Sequence, residues 1–260
     1  MFSGFMIHAW EVGTIVAIVA GVVGFFVVLR DSAFPAHAIP NGAFAGAAGA
    51  SLIGVSTLVG LGVFAAAGAL AIAALGRRTR NDVATALVLV GMLAVGAAFL
   101  SQSTSYEPEV FSLLFGQILG VGTNQLLPVA VVGLGSCLIV IALARPLLLS
   151  SLTPDIARAR GLRTDGLNVV FLLIVAAVTT IAVPVVGTLL MFTLIIGPPA
   201  AARGFTKRPV VALSLSALIA VVVLWAAIAS AYAMNWPVGF FVGIFSALAY
   251  GLSRLWQWRR

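Results

Sequence analysis

Charge is what this 260-residue chain has least of. Seven acidic and fourteen basic residues, 8% of the sequence, cannot cover a water-facing surface, which excludes a soluble globular domain. Cysteine is scarcer still. The single Cys137 rules out a disulfide framework, leaves a thiolate metal site without partners, and lies in an apolar run as a buried hydrophobic side chain would. The sequence has no GxxxxGK[ST] phosphate loop, no HExxH, no GxSxG and no paired carboxylates, so neither ATP hydrolysis nor peptide hydrolysis can be placed in it, and no catalytic residue is expected. Ion-coupled secondary transporters keep ionisable residues at mid-membrane, and here the apolar runs carry almost none. The N-terminus, MFSGFMIHAWEVG, lacks a basic region and a small-residue cleavage site, so the first apolar run is expected to be retained.

What is present is hydrophobicity: 62% of residues, with a mean hydropathy of +1.19. Several windows of the roughly 20 residues needed to cross a bilayer carry no charge. The expected fold is an all-α polytopic membrane protein, a single transmembrane domain over 1–260 with eight to nine transmembrane helices. Spans are expected over 10–29, over two crossings between Arg30 and Arg77 with a turn near 54–57, and over 83–100, 126–143, 210–231 and 238–252. The 111–119 run is too short to cross. The 167–196 run is broken at Pro184 and Gly187 and has basic residues at both ends, so it should cross twice or make a bent excursion. This arrangement gathers Arg30, Arg77 to Arg80, Arg145 to Arg163, Arg203 to Arg208 and Arg254 to Arg260 on one side, and Glu107 and Glu109 on the other. The positive-inside rule then puts the N-terminus outside and the C-terminus in the cytoplasm. The net charge of +7 serves topology and anionic lipid better than nucleic acid, which is not an expected partner. Trp236, Trp256 and Trp258 are expected interface anchors.

Three local patterns invite chemistry. The stretch 145–166, RPLLLSSLTPDIARARGLRTDG, is a polar island between apolar regions; Thr153 or Pro154 can open a short helix, Asp155 suits its first turn, and Gly161 can close it. In DSAFPAHAIPNG, His37 and Asn41 share a face if the segment is helical, and imidazole with an amide oxygen can hold a transition metal transiently. Pro40 leaves the helix start open: were it Pro40, His37 would precede the helix and the shared face would be lost. A broken helix at membrane depth must turn its freed backbone groups to protein or water, so Pro184, Val186, Gly187 and Thr188 form a candidate pathway wall. Gly42 and Gly46, among alanines, allow close helix approach.

The segments HAIPNGAFAGAAGA, LLFGQILGVG, LTPDIARARGL, VVGTLLMFTLIIGPPAAAR and WPVGFFVGIFSALAY, in this order, resemble the membrane permease of ABC importers for zinc, manganese or iron, over nearly the whole chain. The resemblance implies a homodimer of permeases with cytoplasmic ATP-binding subunits and an extracytoplasmic metal-binding protein. The chain itself would bind no cofactor, ATP being used on the partner. LTPDIARARGL would be the helix that couples to the ATPase, through Asp155, Ala157, Arg158 and Gly161. The family commonly has Asp, then His four residues on, where this chain has His37 and Asn41; a neutral amide oxygen is a weaker ligand than imidazole. The second reading is an ATP-independent secondary transporter or channel for a small neutral solute.

Overall fold

Inside a bilayer each backbone N–H and C=O must find its partner within the chain, and for uncharged runs of this length the helix is the available solution. The computed structural model describes residues 4–77, 81–102 and 123–259. Among them are eleven helices and no strand: α1 (Gly4–Leu29), α2 (Ala33–Leu52), α3 (Thr57–Leu75), α4 (Asn81–Leu100), α5 (Thr123–Ala142), α6 (Ala144–Leu152), α7 (Pro154–Ala159), α8 (Thr164–Val186), α9 (Thr188–Phe205), α10 (Pro209–Met234) and α11 (Val238–Trp258). Arg78 to Arg80, Glu107, Glu109 and the short 111–119 run lie outside the described residues.

Seven helices, α1, α3, α4 and α8 to α11, are long and apolar enough to cross a membrane. The pair α5 and α6, bent by 60° between Ala142 and Ala144, brings the number to eight if it is counted as one broken span. α2 has 20 residues, enough to cross by length, but its small and polar residues leave it less apolar than the others. The upper end of the expected eight to nine crossings is reached only when α2 is counted. α2 tolerates this composition because protein surrounds it: Pro35, Ala36, Ala38 to Pro40, Gly42, Ala43 and Ala45 to Ala48 are all buried.

The bundle is held by backbone approach at small residues. A Cβ on Gly46 would collide with the Gly60 carbonyl, and one on Gly60 with that of Gly46, so α2 and α3 touch main chain to main chain. Pro199 removes the N–H that Ile195 O would accept in α9, and the bare backbone of Gly24 in α1 packs over that carbonyl. Ser216 of α10 donates to Gly21 O at 2.7 Å, tying α10 to the same helix.

Hydrogen bonds also fix which helix ends meet. The Arg30 guanidinium, just past α1, lies 5.3 Å over the ring of Phe171 near the start of α8, and Arg203 near the end of α9 donates to Val28 O at 3.1 Å. α8 therefore leaves this end of the bundle and α9 returns to it: two crossings rather than a bent excursion. The reversal is made at Gly187 (φ 80, ψ 158), while Pro184 stays inside α8. By the alternation of helix direction, every described Lys and Arg lies at this one end.

Candidate functional site

α2 starts at Ala33, with Ala36 N donating to Ser32 O at 3.0 Å, so His37 lies inside the helix and shares a face with Asn41. Between Pro35 and Ala48 only His37, Asn41 and Phe44 keep partial access, the i, i+4, i+7 stripe of one helical face. Pro40 has no N–H, so the Ala36 carbonyl lacks its helical donor beside this stripe. The Asn41 side chain is pinned: Nδ2 donates to His37 O at 2.7 Å and stands 3.4 and 3.5 Å from the imidazole nitrogens. With Nδ2 so engaged, Oδ1 is the amide atom left to accept or to ligate. Phe192 of α9 packs edge to face on the imidazole, ring centroids 4.5 Å apart at 64°. The aromatic lid was not among the residues singled out from sequence, since nothing within α9 marks Phe192 off from its apolar neighbours.

No group of three or more His, Cys, Asp or Glu is gathered among the described residues. Within one chain a cation at the stripe would meet one imidazole and neutral oxygens, a weak set that lets an ion leave as readily as it enters. His8 is elsewhere, with Nδ1 3.3 Å from Glu11 Oε2 near the start of α1.

The residues of the broken run separate. Val186, Gly187 and Thr188 are buried, whereas Pro184 lines a cleft of about 200 Å³ with Thr57, Leu58, Pro128, Val129, Ile181 and Val185. Thr188 Oγ1 is buried without a hydrogen-bond partner among the described residues. One turn beyond Thr188 on α9 comes Phe192, the residue that reaches His37.

The polar island is less a loop than a bent helix and a knob. Its first part is α6, anchored by fully buried Leu147; then Thr153 ends α6 and Pro154 starts α7 in the first-turn position where a missing N–H costs nothing. Ala157 is buried and holds α7 down, while Asp155, Ile156 and Arg158 face outward. Gly161 (φ 76) closes the knob, donating to Arg158 O at 2.9 Å, with Leu162 N to Ala157 O at 3.1 Å. Leu152 and Ile156, 60% and 49% exposed, set an apolar patch among these charges. The sequence offered them as a signal, two branched apolar residues in a charged stretch.

Arg30 joins the two regions. Its Nη1 donates to Ser150 Oγ at 2.9 Å and to Ser151 Oγ at 3.4 Å, both on α6, while the guanidinium covers Phe171 of α8. Burial lowers its pKa, with no ion pair to offset the desolvation among the described residues. From the sequence Arg30 was a marker of topology; the fold makes it the contact between the α1–α2 turn and the helix leading into the knob.

Among known proteins, the manganese transport system membrane protein MntC of Halalkalibacterium halodurans is 30% identical over 217 residues, 83% of this chain and 74% of that protein. The manganese import system permease protein ScaB of Streptococcus parasanguinis is 27% identical, covering 96% of this chain and 89% of the relative. The solved structure of PsaBC from Streptococcus pneumoniae in complex with Fab has the same fold, with a TM-score of 0.86 at 24% identity over 97% of this chain and 91% of its own. The pattern of the ABC 3 transport family matches residues 3–257, all but the extremities of the chain: it belongs to that family and is a multi-pass protein of the prokaryotic plasma membrane.

Proposed function

We propose that this chain is the permease of an ATP-driven importer of a divalent metal ion, manganese before zinc or iron, with the ion passing along the α2 stripe of His37 and Asn41. The observation that carries the reading is that stripe: between Pro35 and Ala48 it is the partly open face of a helix otherwise enclosed by protein, bearing an imidazole and an amide oxygen. Two relatives named for manganese support the choice of metal. The donors agree, since replacing a strong ligand by Asn41 favours a harder, oxygen-preferring cation over zinc.

In this reading the end rich in Lys and Arg is cytoplasmic, the N-terminus outside and the C-terminus inside. A second copy faces the open stripe, so that the ion meets two imidazoles at the dimer interface. The α7 knob enters a partner ATP-binding subunit through Asp155, Ile156 and Arg158, with Ala157 and Gly161 holding its shape. An extracytoplasmic metal-binding protein delivers the ion. Closure of the ATPases displaces α7 and α6, and Arg30, bonded to Ser150, carries the displacement to the turn from which α2 starts. Val186, Gly187 and Thr188, just beyond Pro184 in α8, form the turn that seats Phe192 over the imidazole.

The test is uptake of radiolabelled manganese into proteoliposomes containing the permease and its ATPase. His37→Ala should abolish ATP-dependent uptake while ATPase co-purification persists. Undiminished uptake by that variant would remove the stripe from the path. Flux without ATPase or ATP would favour the neutral-solute channel instead.

A further inference from the structure

At the cationic end of the bundle, away from both the His37 stripe and α7, the ends of three helices enclose a cleft of about 730 Å³ lined by residues 203–208 with Trp256 and Gln257. Among its described lining residues three are cationic, Arg203, Lys207 and Arg208, and none is acidic. Its walls are tied together. Gln257 Nε2 of α11 donates to Gly204 O of α9 at 3.0 Å, Arg254 Nη1 donates to Gln257 Oε1 at 3.2 Å, and Arg208 N donates to Thr206 Oγ1 at 3.2 Å. Gly204 lets α11 in so closely that an added Cβ would press on Ser253. Arg203 keeps one nitrogen on Val28 O, which fixes the guanidinium at the rim.

From these features we infer a binding site for the headgroup of an anionic phospholipid. The depth is right: α9 ends at Phe205, α10 starts at Pro209 and α11 ends at Trp258, so the cleft lies where spans meet water and headgroups lie. The chemistry is right as well. With no carboxylate among the described lining residues, these cations attract a phosphodiester, and indole rings such as Trp256 and the 85% exposed Trp258 sit comfortably at the glycerol level. A soluble phosphate could meet the same cations, but only a lipid would also use the apolar wall of Phe205 and Trp256. The knob α7 packs against α6 and α8, so the cleft is a separate surface from the proposed ATPase contact.

The full-length chain, purified in mixed micelles of a neutral detergent with phosphatidylcholine, is titrated with phosphatidylglycerol of the same acyl chains, with further phosphatidylcholine, or with inorganic phosphate. Thermal unfolding and native mass spectrometry read the result. Phosphatidylglycerol should raise the midpoint by ~3 °C and give a retained lipid adduct, with neither phosphatidylcholine nor inorganic phosphate doing so. Lys207→Gln with Arg208→Gln alters exposed side chains only, so the lipid-free midpoint should hold while the apparent lipid affinity falls roughly tenfold. Three outcomes overturn the assignment: equal response to phosphatidylcholine, equal response to inorganic phosphate, or unchanged affinity in the double variant. A double variant that loses ATPase co-purification yet binds phosphatidylglycerol normally would also overturn it, giving the cleft to the partner protein. None of these results depends on the metal path, so the proposed function can fail separately.

Discussion

At the residue scale, the proposed path would have His37 and Asn41 handle an ion without a tight site. The amide is held by its own helix through Nδ2, which donates to His37 O, so Oδ1 is left to accept or to ligate at no further ordering cost. Asn41→His should convert a passing place into a resting place: zinc bound per purified permease rises, while manganese turnover in proteoliposomes falls several-fold. Equal turnover with more bound metal would separate retention from flux and refute the low-affinity argument. The lid makes a second prediction. Phe192→Ala, in a His8→Gln background, should speed modification of the remaining imidazole by diethyl pyrocarbonate about tenfold, because the ring edge now covering His37 is gone. An unchanged rate would mean that Phe192 does not control access.

At the element scale, helix boundaries were legible where a residue type forces them. The knob follows from Pro154, Asp155 and Gly161, and the turn after α2 from Gly54 at φ 69. The break between α8 and α9 was legible only to within a few residues, because Pro184 and Gly187 both signal it. Pro184 falls in the last turn of α8, where a missing N–H frees one carbonyl only, whereas the chain reverses through a backbone conformation open to glycine alone. Gly187→Ala should therefore cost about 1–3 kcal/mol by denaturant unfolding in micelles, and Pro184→Ala much less. The start of α2 was open from sequence, near Ala36 or at Pro40, since proline suits a first turn; the structure starts it earlier than either, at Ala33, with the Ser32 carbonyl accepting from Ala36 N. What no periodicity could reveal is Arg30, whose partners lie more than a hundred residues away. If it transmits motion between α6 and α2, Arg30→Gln should leave the ATPase bound and hydrolysing while manganese moved per ATP falls at least several-fold, with Arg30→Lys recovering part of the coupling. Parallel loss of ATPase binding and transport would instead make Arg30 a structural support.

At the scale of the whole molecule, the chain is built around enclosed helices and leaves others greasy on one side. α1 is buried along most of its length, while α4 and α5 expose Leu87, Val90, Leu127, Val131 and Leu138, the composition expected of lipid contact. The α2 stripe differs from those faces in being partly open yet polar, a surface neither lipid nor core suits. A second copy set across it would complete the ion's surroundings. That arrangement is testable because Cys137 is the sole native cysteine and buried. In a Cys137→Ser background, a single cysteine at Phe44 should be joined to its twin by a short bis-thiol reagent in native membranes, giving a species of twice the subunit mass. A cysteine at Leu138, 68% exposed on α5, serves as the comparison and should give little such product. Efficient joining at Leu138 with none at Phe44 would place the contact between copies on the outer helices. The stripe would then face something other than its twin, and the two-imidazole path would have to be abandoned even if manganese transport itself were confirmed.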